Sequence, residues 1–95
     1  MTHIFYDPAG PEMRFAGHAG AKARGGDPVC AALSALLYTL IEAARPEEAA
    51  LRPGFARVRG GRRAAYRVVA AGLRRLAREY PECVRWQRIR KGEDL

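Results

Sequence analysis

Cysteine, histidine and tryptophan are scarce in this chain, with two, two and one copies, and their scarcity excludes several kinds of chemistry. Cys30 and Cys83 lie far apart and match no zinc-ligand or redox spacing, and two thiols are too few for a disulfide scaffold. Reduced cysteines in a cytoplasmic protein are the simpler reading. No uncharged run reaches the roughly 20 residues needed to span a bilayer. The longest, residues 28–41, reads as a buried helix, so no membrane partner is expected. The opening "MTHIFYDPAGPEM" lacks the charged start and apolar core of a signal peptide. There is no internal repeat and no low-complexity segment. Acidic charge is also short: ten Asp and Glu face seventeen Lys and Arg, and the net charge of +7 suits an acidic surface, nucleic acid or a ribosome as neighbour.

What is present is enough for one small core. Ninety-five residues, 48% of them hydrophobic, predict a single domain over residues 1–95. "HIFYD" and "MRFAGHA" read as two extended segments joined by a Pro and Gly turn, which together predict a hairpin. Residues 20–26, "GAKARGG", have no apolar periodicity and predict a flexible loop. Asp27 followed by Pro28 is a helix start, because an aspartate oxygen accepts from first-turn amides and proline is preset for the first helical position. That helix is expected over 28–44, stopping before Pro46. Its leucines recur at three and four residue intervals, but its alanines leave no charged face in the first three turns, so it needs cover on several sides, part of it from a second subunit.

Further along, "RPG" separates two short strand candidates at 49–51 and 55–58. A second helix is expected over 62–80, with Ala65, Val69, Leu73, Leu76 and Tyr80 on one face and Arg67, Arg74, Arg75 and Arg78 elsewhere. Pro81 ends it. Residues 83–89 read as a last strand, with Val84, Trp86 or Ile89 sharing its cover, and "RKGEDL" as a frayed tail. The expected fold is therefore α+β, a mainly antiparallel sheet with two helices in the order β-β-α-β-β-α-β.

His18 and Cys30 are the candidate base and nucleophile. With Asp27 as N-cap, Cys30 is the third helical residue, where free amides and the positive end of the helix dipole favour a thiolate. A histidine closing the preceding strand is placed to take up its proton and return it to a leaving amine. The bland reading is a small buried hydrophobe beside an incidental histidine. Gly25 and Gly26 before a helix invite a phosphate-loop reading, but the lysine and hydroxyl that loop needs are missing. Ser34 sits one turn after Cys30 and shares its face, or simply bonds a backbone carbonyl. Asp27 is better explained as a cap than as a third catalytic group. His3 and Cys83 have no convincing partners. The arginines of the second helix read as a solvated face or as ligands for RNA phosphates. A small oxidoreductase is disfavoured because no second cysteine stands near Cys30.

"GHA" followed by "GGDPVCAALSAL", with the histidine twelve positions before the cysteine, resembles the ribosomal-processing cysteine protease family, Prp, also called YsxB-like. Gly17, His18, Asp27, Val29, Cys30, Ala31, Ser34 and Ala35 match the family pattern in place. The resemblance implies a cytoplasmic, homodimeric cysteine endopeptidase that removes the N-terminal extension of a large-subunit ribosomal protein, number twenty-seven. It implies Cys30 as nucleophile and His18 as general base, with Gly17, Gly25, Gly26, Asp27 and Ser34 at or near the substrate site. It implies no cofactor and no metal, and it brings a ribosome contact into view. Two departures stand out. Pro28 replaces the family's usual isoleucine, and the loop "AGAKARGG" is basic and glycine-rich. The competing class is a non-catalytic dimeric RNA- or ribosome-binding module that works through its basic second helix.

Overall fold

A computed structural model describes residues 1–17 and 28–88 of the chain. Five strands and two helices follow one another as β1 (Thr2–Asp7), β2 (Glu12–Gly17), α1 (Pro28–Ala44), β3 (Glu48–Arg52), β4 (Phe55–Arg59), α2 (Arg63–Glu79) and β5 (Val84–Arg88). The strands form one sheet in the order β3-β4-β2-β1-β5, and every neighbouring pair is antiparallel except β1 and β5. This is the expected α+β order. The parallel pair was not separately legible, because strands so far apart in sequence meet only after the helices between them have been placed.

Alternation along the strands builds the core. Ile4 and Tyr6 of β1, Met13 and Phe15 of β2, Ala56 and Val58 of β4 and Val84 of β5 all point to one face of the sheet and are buried. Leu33, Leu40 and Ala44 of α1 and Tyr66, Val69, Ala70 and Leu73 of α2 close the same cluster, so both helices cover that face. Burying each large aliphatic side chain contributes roughly 1.5–3 kcal/mol. Tyr66 also donates its hydroxyl to the Gly60 carbonyl at 2.7 Å.

Helix α1 begins and ends where its prolines predict. Pro28 is the first helical residue, and Arg45, just past the last, turns into the left-handed region at φ 51° directly before Pro46. The Ala44 carbonyl left over at this end accepts the Arg62 amide at 2.8 Å, which ties the end of α1 to the start of α2. Gly61, at φ +89°, makes that approach possible, since a Cβ there would overlap the Ala44 carbonyl oxygen.

Several expectations need correcting. Within one chain α1 is covered except along one flank, where Ala31, Ala35, Tyr38 and Thr39 are exposed. On α2 Val69 and Leu73 are buried and Ala65 and Leu76 pack on the core as expected, but Tyr66 and Ala70 are buried too while Tyr80 is exposed. Tyr80 has already left helical backbone geometry, at φ −129°. Cys83 lies in the turn before β5 rather than in the strand. The expected loop at 20–26, Ile89 and the tail at 90–95 lie outside the described residues.

Candidate active site

Gly17 and Cys30, on either side of the glycine-rich segment 18–27, line one cleft. Proline has no N–H to lose and its φ suits a first helical turn, so Pro28 starts α1 and places Cys30 two residues in. From Cys30, the side chains of Leu33, Ser34, Leu37 and Tyr38 follow at three, four, seven and eight residues and share one helix face. That face is one wall of a cleft of about 340 Å³. The facing wall is the β3–β4 hairpin from Leu51 to Ala56, and Thr2, Phe15 and Gly17 lie between the two. The volume is that of a small ligand pocket, enough for a few side chains of a peptide.

Only glycine fits at residue 17. Its φ is +100°, and a Cβ would overlap the Met1 carbonyl oxygen. Its amide donates to the Gly54 carbonyl at 2.8 Å, which fixes the hairpin wall against the end of β2. The hairpin turn is made at Pro53 and Gly54, the latter at φ +74°. Arg52, whose guanidinium lies 4.6 Å from the Phe55 ring centroid, is the single charged side chain among the described residues that line the cleft.

Of the expected site residues, Gly17, Cys30 and Ser34 therefore stand together in one cleft. His18, Gly25, Gly26 and Asp27 lie outside the described residues. Cys30 is a half-buried free thiol, and Cys83 is a second free thiol on β5's approach, outside this cleft. Among the described residues no histidine or carboxylate lines the cleft, and no group of three or more His, Cys, Asp or Glu is placed to hold a metal. No described helix is long and apolar enough to cross a membrane. The hairpin wall was missed in the sequence. Leu51 and Phe55 on either side of "RPG" were the available signal, but an exposed five-residue strand shows no alternation that would assign them a surface.

Outside the cleft, Glu12 and its two arginines serve the scaffold. On the sheet face away from the helices, Glu12 accepts from Arg14 and from Arg57 at 3.1 and 3.3 Å. Burial pushes the Glu12 carboxyl up, but the hydrogen bonds and charges of Arg57 and Arg14 outweigh burial and hold it below the usual range. The Tyr66 hydroxyl is pushed up to about 12 by burial first, then by the charges of Glu12 and Glu47.

A free thiol in the first turn of a helix, lining a cleft of peptide size, is compatible with a thiol-dependent hydrolase. Comparison with known proteins is more specific. The sequence profile of Cysteine protease Prp matches residues 7–85, and the chain belongs to that family, a family of cysteine proteases. The fold is shared with the ribosomal processing protease Prp of S. aureus carrying a covalently linked product peptide, at TM-score 0.81 and 20% identity over 94% of this chain and 100% of that one. The same S. aureus protease with a substrate peptide gives TM-score 0.71 and 20% identity over 93% and 97%. SMU.848 of Streptococcus mutans gives TM-score 0.69 and 21% identity over 93% and 91%. No curated protein matches the chain.

Proposed function

We propose that this chain, as one Prp-like domain, is a cytoplasmic endopeptidase that removes the N-terminal extension of large-subunit ribosomal protein number twenty-seven during ribosome maturation, using a dyad of Cys30 and His18. The observation that carries the reading is the placement of Cys30 in the first turn of α1, on the face that opens into the cleft. Family membership supports the chemistry. The substrate class is supported by the S. aureus protein of the same fold, a ribosomal processing protease seen with a substrate peptide. Gly17 lines the cleft and His18 is its covalent neighbour, which supports the pairing.

In the proposed reaction His18 takes the proton of the Cys30 thiol, and the sulfur attacks the carbonyl carbon of the scissile peptide. Free amides in the first turn of α1, the Cys30 amide among them, donate to the developing oxyanion. The C–N bond then breaks, His18 gives its proton to the leaving amine, and the acyl group stays on sulfur as a thioester. Water, deprotonated by His18, adds to the thioester and expels the thiolate, which regenerates the enzyme. No cofactor or metal enters. Leu33, Leu37, Leu51 and Phe55 give the cleft apolar walls, which favour apolar residues in the bound extension. Gly17, Gly25, Gly26 and Asp27 belong to the substrate site, and Ser34 shapes the α1 wall of the cleft. The exposed Tyr38, Ala31 and Ala35 flank of α1 supports a homodimer in which a second copy covers it.

The test is cleavage of a synthetic extension peptide, followed by mass spectrometry. The wild-type chain cuts at one bond, and Cys30→Ala does not cut it; equal rates for the two would refute the reading.

A further inference from the structure

A second concavity lies well away from Cys30, where the end of α2 meets β5. It encloses about 400 Å³, and its lining includes Arg74, Arg78, Arg85 and Trp86 but no carboxylate. The Arg74 guanidinium carbon stands 5.6 Å from the Trp86 ring centroid, within cation–π range. Tyr6 braces the same indole from the core, with ring centroids 5.8 Å apart and planes tilted by 49°. Trp86 is thus a fixed, half-buried aromatic with the Arg74 guanidinium over its ring and Arg78 lining the same pocket.

The pocket is the end of a longer basic stripe. Arg63, Arg67, Arg74 and Arg78 fall at relative positions 0, 4, 11 and 15 on α2, within about 60° of one another at 100° per residue. The stripe rises roughly 22 Å at 1.5 Å per residue. Glu79, the sole acid on the helix, is held by Arg75 at 2.7 Å on a different flank. Arg63 directs its hydrogen bonds to the neutral carbonyls of Pro8 and Ala9, at 2.7 and 3.1 Å. The stripe's charge therefore meets no compensating carboxylate in any ion pair among the described residues.

We propose that this pocket and stripe bind single-stranded RNA. A base stacks against the Trp86 and Arg74 pair, Arg78 takes a flanking phosphate through its forked donors, and the strand continues along Arg67 and Arg63. An acidic peptide satisfies the guanidiniums equally well but offers nothing to the indole, whereas every nucleobase has a face to stack. β5 is one edge of the sheet, and the cleft with Cys30 is bounded by β3 and β4 at the other, so RNA and peptide occupy separate surfaces. The site needs no assumption about which bond the protease cuts.

Trp86 is the chain's sole tryptophan, so its fluorescence reports on this pocket alone. Titration with a 12-nucleotide oligouridine is expected to quench it, and the log of the binding constant falls linearly with log salt by about 0.7 per phosphate neutralised. The double variant Arg74→Gln/Arg78→Gln is expected to weaken binding roughly tenfold, read by anisotropy of labelled RNA, and to flatten the slope by about 1.4. A 12-residue glutamate peptide and phosphatidylserine vesicles serve as equally acidic alternatives and are expected to leave the fluorescence unchanged. The proposal is overturned if RNA does not quench, if the double variant binds as wild type does, or if glutamate or vesicles bind as tightly as RNA. None of these arginines lines the Cys30 cleft, so the double variant keeps wild-type peptide cleavage. Loss of cleavage by the wild-type chain itself bears on the proposed proteolysis and leaves the RNA result standing.

Discussion

Tyr66 shows how a single polar atom in the core makes stability depend on pH. Its ring is fully buried and its hydroxyl donates to the Gly60 carbonyl, and burial together with Glu12 and Glu47 raises its pKa from 10.0 to about 12. The unfolded chain gives up this proton near pH 10 while the folded chain keeps it. The stability it contributes is therefore present below pH 10 and lost as pH rises towards 12, on the order of 2 kcal/mol over that window. Tyr66→Phe should be less stable than wild type by about 1 kcal/mol at pH 7, from the lost hydrogen bond. Urea unfolding should show the two stabilities drawing together above pH 10 and crossing before pH 12; a constant difference would show that the hydroxyl does not titrate as described. Glu12 has the opposite sign. Its carboxyl is held below the usual 4.5, so its contribution is present above that value and lost as pH falls through the lowered one. Glu12→Gln should unfold at lower denaturant than wild type at pH 7, and the gap should close as pH drops below 4, measured by circular dichroism.

At the scale of elements, the helices were the most legible part of the sequence. α1 runs from Pro28 to Ala44 as expected, because prolines mark both its boundaries and proline acts on the backbone whatever surrounds it. α2 was placed to within a residue at each end, and its buried arc was read in part: Val69 and Leu73 lie on it as expected, but Tyr66 and Ala70 lie on it too. Packing between the sheet and α1 turns Tyr66 and Ala70 inward, which is a tertiary effect that periodicity alone does not contain. β3 was expected over 49–51 and covers Glu48–Arg52. As an exposed edge strand it owes its extent to the ladder with β4 rather than to a burial pattern. The same reason hid the hairpin wall of the cleft, whereas Cys30 and Ser34 were legible because helical spacing alone puts them on one face. The junction of the two helices carries its own prediction. Gly61→Ala forces a side chain against the Ala44 carbonyl in a left-handed backbone, and should lower stability by at least about 2 kcal/mol. Thermal unfolding of the variant at wild-type temperature would contradict that account of the junction.

At the scale of the whole molecule, the two surfaces divide the sheet between them, the thiol cleft towards β3 and β4 and the basic pocket beside β5. The charge excess of +7 gathers the protein near polyanions, while the cleft that Cys30 opens into is almost uncharged. A second copy over the exposed flank of α1 predicts a sedimentation mass near twice the 10.5 kDa of one chain; 10.5 kDa at micromolar concentration would mean that this flank stays open. The central claim is that Cys30 is the nucleophile of a peptidase. It is tested most directly by incubating wild type, Cys30→Ala and His18→Ala with the extension peptide and following the acyl-enzyme and products by mass. The account predicts cleavage at one bond with a transient adduct on Cys30 for wild type. For both variants it predicts rates down by at least about a thousandfold, since members of such a unit fail together. Cleavage by Cys30→Ala at the wild-type rate would contradict it.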